Sequence, residues 1–174
     1  MNRKSAKQPK RATVKNTGLY TLDVFLIGGP ITENFAKQNP VISRTIEIRA
    51  NQTLADLHEA IFKAFDREEE HMYEFQIGGK GPQDPKAKRY GLSLEFEDSL
   101  GGDQPAGDVA RTTMASLSLQ VDQAFGYWFD FGDDWWHQIN VVDIKDEVPK
   151  GRYPKVTKRT GESPPQYVDW DEDE

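Results

Sequence analysis

The sequence of 174 residues contains no cysteine. Disulfides, a thiolate nucleophile and a cysteine-built zinc site are therefore excluded. The chain also lacks an apolar run of the roughly 18 residues that a membrane-spanning helix needs. Its basic N-terminus is not followed by the apolar stretch of a secretory signal. Together these absences predict a cytoplasmic protein without a membrane partner.

The chain has fewer basic than acidic residues, and its formal net charge is -7. Residues 1–18 carry six cations and no acid, whereas residues 169–174 are strongly acidic. An acidic body repels phosphate backbones, which argues against a nucleic-acid-binding surface on the folded part. A role as a nucleic-acid accessory factor would therefore depend on the basic residues 1–18.

The composition of the chain and the positions of its prolines predict one domain with an extension at each end. Residues 1–18 are polar and aperiodic, so we expect a disordered basic arm. Residues 19–148 are expected to form a single α+β domain. Residues 149–174 are proline-rich and then acidic, and four prolines are expected to exclude regular structure there, namely Pro149, Pro154, Pro164 and Pro165.

The hydrophobic pattern predicts a sheet and one main helix. Strands are expected at residues 19–27, 41–48 and 72–77 because β-branched and aromatic residues dominate or alternate there. Thr53 is positioned to cap a helix over residues 54–65, whose apolar residues recur at three- and four-residue steps. The prediction is a largely antiparallel or mixed sheet of five to six strands covered by this helix. Its strand-strand-helix-strand opening resembles a β-grasp.

The densest chemistry lies in residues 125–139, where aromatic residues flank a Gly-Asp-Asp turn. The alternation predicts a β-hairpin whose first strand has a core face formed by Phe125, Tyr127, Phe129 and Phe131. A turn centred on Asp133 and Asp134 would pair Asp130 with His137 across the strands. Asp130 then either gives a buried histidine its hydrogen-bond partner or forms part of an acid-base or metal-binding site with His137.

Three functional hypotheses follow. The first is a non-enzymatic binding module for an unknown protein or small molecule. It would use the hairpin and the glycine-rich loops at 78–91 and 98–111, with binding residues Trp128, Asp130, Asp133, Asp134, Trp135, Trp136 and His137.

The second hypothesis is a hydrolase-like site that holds a divalent metal through His58, His71, His137 and Asp130. These histidines lack the paired spacing of a metal motif, and His58 also fits a hydrogen-bonded histidine at the edge of the helix stripe. The third hypothesis is the accessory factor acting through residues 1–18.

Several short motifs resemble one known family. They are Leu54-Ala55-Asp56-Leu57-His58, Ala64-Phe65, His71-Met72-Tyr73-Glu74-Phe75, Ile77-Gly78-Gly79, and Phe129-Asp130-Phe131-Gly132-Asp133-Asp134-Trp135 with His137. Over residues 19–167 the chain resembles the plasmid pRi open-reading-frame-three-like proteins, also described as passenger proteins of insertion elements. The resemblance implies no established activity and no agreed catalytic residues. Family members often have cysteines near the proline-rich segment and tyrosine at the position of Phe129, and this chain departs from both.

Overall fold

The computed structural model describes residues 17–92 and 106–173, and the predicted arm and part of the 98–111 loop lie outside these ranges. The elements in chain order are β1 (Leu19–Gly28), α1 (Glu33–Gln38), β2 (Ser43–Arg49), α2 (Leu54–Ala64), β3 (Tyr73–Ile77), β4 (Lys88–Gly91), β5 (Gly107–Asp108), β6 (Ala124–Phe129), β7 (Trp135–Lys145) and β8 (Lys155–Thr160). Short 3-10 helices occur at Ala115–Leu117 and Trp170–Asp173. None of the helices in the described ranges is long and apolar enough to cross a membrane.

The described strands form one mixed sheet of eight strands in the order β5-β4-β3-β6-β7-β1-β2-β8. Only β4 and β5 pair in parallel. The predicted α+β arrangement of five to six strands under a main helix, with its β-grasp opening, is therefore wrong. At a spacing of about 4.8 Å, eight strands span about 34 Å. The eleven residues of α2 cover about 16 Å, so the helix reaches only part of the sheet.

The hydrophobic pattern did not predict the strands β5 and β8. The strand β5 has two residues, too few to show a period. The strand β8 has the polar sequence Lys-Val-Thr-Lys-Arg-Thr, is almost entirely exposed and forms an edge on β2. Edge strands of this composition discourage pairing with other chains. Prolines on both sides led to the expectation of irregular structure there, and for Lys155–Thr160 that expectation is wrong.

The helix α2 begins as predicted. The Thr53 hydroxyl accepts from the backbone N–H of Asp56, and the Asp56 carboxylate accepts from the N–H of Thr53, which completes a capping box. Its apolar stripe, including Leu57 and Ile61, is buried in the core beside β2. The strands β1 and β2 pair antiparallel.

The hairpin of β6 and β7 forms, but its register differs from the prediction. The observed pairs are Tyr127 with His137, Trp128 with Trp136 and Phe129 with Trp135. The predicted pairing of Asp130 with His137 is therefore wrong. Asp130 instead organises a wider turn over residues 130–134. Its Oδ1 accepts from the N–H groups of Gly132 and Asp133, and its carbonyl accepts from the N–H of Asp134.

Candidate functional site

The two faces of the hairpin have different surroundings. On the inner face, Phe125, Tyr127 and Phe129 of β6 are fully buried, together with Trp135 and His137 of β7. Phe131, predicted to share this face, lies beyond the end of β6 and is 36% exposed. The inner face therefore belongs to the core, as the aromatic alternation predicts for the first three residues.

The imidazole of His137 is neutral and held at both nitrogens. Arg67 Nη2 lies 2.7 Å from His137 Nε2. A guanidinium can only donate, so Nε2 is the acceptor and the proton resides on Nδ1. Nδ1–H donates to the carbonyl of Tyr127 at 3.2 Å. Burial, aided by the positive charge of Arg67, lowers the pKa of His137 well below its ordinary 6.5.

Arg67 is buried, and none of the described carboxylates forms an ion pair with it, although the charge of Asp130 acts on it from farther away. Its guanidinium carbon lies 4.8 Å from the ring centre of Phe129 and slightly farther from those of Phe65 and Trp135. Nη1 has no hydrogen-bond acceptor, and the faces of these rings surround the charge instead. Burial lowers the pKa of Arg67 to about 10, which leaves it charged at neutral pH.

A second buried histidine links the core to the surface. His58 Nε2 lies 2.9 Å from Glu70 Oε2, and Nδ1 lies 2.6 Å from the Tyr127 hydroxyl. Nε2–H donates to the carboxylate, so the Tyr127 hydroxyl donates to Nδ1. The ring stacks on Tyr73 with centres 3.6 Å apart. Burial lowers the pKa of His58, and Glu70 opposes this effect. The interpretation of His58 as a hydrogen-bonded histidine of the helix stripe is confirmed.

The third histidine lies at the surface beneath the C-terminal strap, defined as residues 161–168. His71 Nε2 is 2.7 Å from the Tyr167 hydroxyl and 3.5 Å from Asp130 Oδ2. The Tyr167 hydroxyl donates to Glu69 Oε2 at 2.7 Å, and this bond raises the pKa of Tyr167 to about 12. Gln166 fixes the strap by accepting from the N–H groups of Glu68 and Glu69 and donating to the Glu69 carbonyl.

The structure does not assemble the predicted metal ligands. His71 and Asp130 are neighbours. His58 and His71 both lie near the ring of Phe129, with imidazole centres 6.0 and 5.9 Å from its centre. His137 lies apart from them, and Arg67 occupies its Nε2. Within residues 17–92 and 106–173, no group of three or more histidines and acids could hold a metal ion. The geometry thus gives the metal hypothesis no support.

The outer face of the hairpin carries a set of aromatic rings that we call the outer aromatic patch, formed by Trp128, Phe131 and Trp136. The two indoles stack with centres 4.9 Å apart and planes 5° apart, and Phe131 lies 4.1 Å from Trp128. Trp128 Nε1 donates to Asp134 Oδ1 at 2.9 Å. Both tryptophans are partly exposed, whereas Trp135, also predicted as a binding residue, is 1% exposed.

The neighbours of the patch leave its rings accessible. Gly28 pairs with Trp136 and has no side chain to cover it. On β6, Pro82 lies so close to Gly126 that a Cβ atom there would come within 2.8 Å of the Pro82 Cα. The loop after β3 therefore covers the sheet beside Trp128. The patch therefore lies at the turn end of the hairpin, where Asp133 and Asp134 are exposed.

Sequence reasoning missed Arg67, Tyr127, Glu70 and Gln166 as members of these networks. Arg67 stands in the charged run Asp66-Arg67-Glu68-Glu69-Glu70, which is typical of a solvated loop. Tyr127 was assigned to the core by its alternation, and the alternation carries no information about its hydroxyl. Only the long-range packing of the hairpin on the loop after α2 brings these groups together.

Comparison with known proteins gives the family. The model of the plasmid pRiA4b ORF-3-like proteins matches residues 33–170. The chain belongs to this family. It is also 28% identical over 130 residues to the uncharacterized protein y4hQ of Sinorhizobium fredii (strain NBRC 101917 / NGR234), a match that covers 74% of this chain. The match spans only 60% of that curated relative.

A solved structure shares the fold. It is the crystal structure of protein MM3350 of unknown function from Methanosarcina mazei Go1, with a TM-score of 0.61 and 25% sequence identity. The similarity covers 84% of this chain and 72% of the other. The family resemblance inferred from the motifs is confirmed, and the names of both similar proteins state no activity.

Proposed function

We propose that this plasmid pRiA4b ORF-3-like protein is a binding module that holds a polypeptide through its outer aromatic patch. The observation that carries the proposal is the stack of Trp128 on Trp136, extended by Phe131 and left accessible at the surface of the sheet. Tryptophan side chains bury large areas and dominate the energetics of interfaces. Asp133 and Asp134 supply polar groups at the margin of the patch.

The inner network supports binding rather than catalysis. Tyr127 and His137 are inaccessible to a substrate, since both are fully buried. The ring nitrogens of His58 and His137 are all engaged by protein groups. Burial also raises the pKa of Tyr127 well above 10, so its hydroxyl stays protonated. These groups have the character of a satisfied core network.

The proposal can be tested by selecting peptides from an unbiased display library on the wild-type protein. Trp136→Ala and Trp128→Ala should each lose most of the affinity for the selected peptides. Trp170→Ala is the matched control, because Trp170 is 58% exposed but lies outside the hairpin. Equal losses for Trp170→Ala and Trp136→Ala, or no loss for either hairpin variant, would reject the outer aromatic patch as the binding surface.

A further inference from the structure

The aromatic rings of this protein fall into two groups according to the cations near them. In the described residues, lysine or arginine lies over the rings of Phe65, Phe129, Trp135 and Tyr153. None of these pairs involves Trp128, Phe131 or Trp136, although tryptophan is the best acceptor of a cation on its face. The outer aromatic patch therefore has partly exposed rings without a cation from the described part of the chain.

The charges around the patch favour a cation. The β6–β7 hairpin from Ala124 to Lys145 contains four aspartates and one lysine. That lysine, Lys145, lies at the end far from the patch and is paired with Asp143. Two of the aspartates, Asp133 and Asp134, are exposed in the turn, and Asp134 is tied directly to the Trp128 indole. The loop after β3, which lies beside the patch, carries Lys80, Asp84 and Lys86, so the acidic character is concentrated in the turn. A positively charged partner would be attracted by the aspartates of the turn, while an acidic one would be repelled.

We infer that the partner of the outer aromatic patch is an arginine-rich polypeptide segment in another protein. This inference rests on the proposed binding function. Trp128 already contacts Phe131 and Trp136. A guanidinium therefore stacks on one of these two outer rings while its N–H groups donate to Asp133 or Asp134. Lysine offers a compact charge without a planar surface, so it fits the stacked rings less well. The uncovered sheet face supplies the contact area and the aspartates supply the charge complementarity.

The test uses three synthetic peptides and the full chain. One peptide alternates arginine and alanine, the second replaces arginine with lysine, and the third replaces it with glutamine. Binding is followed by calorimetry at physiological ionic strength. We expect the arginine peptide to bind more tightly than the lysine peptide, and the glutamine peptide to bind weakest. A lysine peptide that binds as tightly as the arginine peptide would overturn the stacking argument.

Variants separate stacking from general charge attraction. Trp136→Ala and Asp134→Asn should each weaken binding of the arginine peptide by about two- to fivefold. Glu147→Gln is the charge-matched control, because Glu147 is exposed beyond the far end of β7. A loss as large in Glu147→Gln as in Asp134→Asn would show that only net charge matters and would overturn the inference.

Two other occupants are distinguished in the same experiment. Residues 1–15 contain six lysine and arginine residues. Replacing these six residues with glutamine in the full chain should leave the affinity for the arginine peptide unchanged. A marked gain in affinity would identify this segment as the occupant. Self-association that is abolished by Trp136→Ala would identify a second copy of this chain as the occupant.

If binding of the library peptides depends on Trp136 but the arginine peptide does not bind, only the inferred class of partner is wrong. If no peptide depends on Trp136, the proposed function fails as well.

Discussion

Trp135 and Trp136 are adjacent in the chain and lie on opposite faces of the hairpin. Trp135 is 1% exposed, and its ring is covered by Arg67. Trp136 is partly exposed and stacks only on Trp128 among the described aromatic pairs. On the inner face the histidine nitrogens and the Tyr127 hydroxyl are paired within the protein, while Arg67 Nη1 and Trp135 Nε1 have no hydrogen-bond partner among the described residues. The outer face has rings without a covering layer. One β-hairpin thus combines a folding surface and a surface available for binding.

The largest expected effect concerns the inner tryptophan. Trp135→Ala should lower the free energy of unfolding by about 3–5 kcal/mol, because it removes a fully buried ring and leaves a cavity. Urea denaturation followed by circular dichroism measures the change. A loss below about 1 kcal/mol would mean that the inner face is not the tightly packed core surface described above.

A smaller effect is expected from the hydroxyl that joins the inner network. Tyr127→Phe leaves His58 Nδ1 buried without its donor and should lower the free energy of unfolding by about 1–3 kcal/mol. The matched control is Tyr153→Phe, because the Tyr153 hydroxyl donates to the Pro149 carbonyl at an exposed position. Equal losses of unfolding free energy in the two variants would show that burial of the Tyr127–His58 hydrogen bond adds nothing to stability.

The inner network also predicts a direction for the pH dependence of stability. Burial lowers the pKa of His58 and His137 from 6.5 in the folded protein. As the pH falls below 6.5, the unfolded chain binds protons that the folded protein does not. The free energy of unfolding should therefore fall with pH, by up to about 1.4 kcal/mol per pH unit for each histidine.

This pH dependence can be measured by urea denaturation between about pH 7.5 and 5.5. Glu74, whose pKa burial raises from 4.5, acts in the opposite direction. His58→Gln should reduce the slope, since it removes one of the two groups. Stability that is constant or rises on acidification would contradict neutral, buried histidines.

The smallest effect on stability is expected on the outer face. Trp136→Ala removes one stacked pair and part of an exposed ring, so it should cost about 0.5–1.5 kcal/mol. Thermal denaturation of this variant beside Trp135→Ala gives the comparison directly. A cost as large as that of Trp135→Ala would mean that both faces are structural.

Local patterns in the sequence were sufficient for several elements. The capping box at Thr53, the apolar stripe of α2 and the alternation of β6 depend on neighbouring residues, and each is present in the structure. The family followed from the motifs. The predicted hairpin register was wrong because a turn centred on Asp133 and Asp134 ignores the ability of Asp130 to accept backbone N–H groups and shift the turn to residues 130–134.

Other features depend on contacts that a pattern of hydrophobicity does not encode. The polar strand β8 is held by pairing with β2, and its own sequence gives no period. The pairing of Arg67 with His137 joins groups that lie 70 residues apart. The sequence predicted which residues of the hairpin could bind a partner. It did not predict which of its tryptophans would be accessible, because that depends on the packing of the folded chain.

The central claim is that the two faces of the hairpin divide folding from binding. The most direct test measures the unfolding free energy and the affinity for library-selected peptides on the same preparation of Trp136→Ala. The expected result is a loss of most of the affinity with a stability close to that of the wild type. Wild-type affinity in a folded Trp136→Ala protein would contradict the claim.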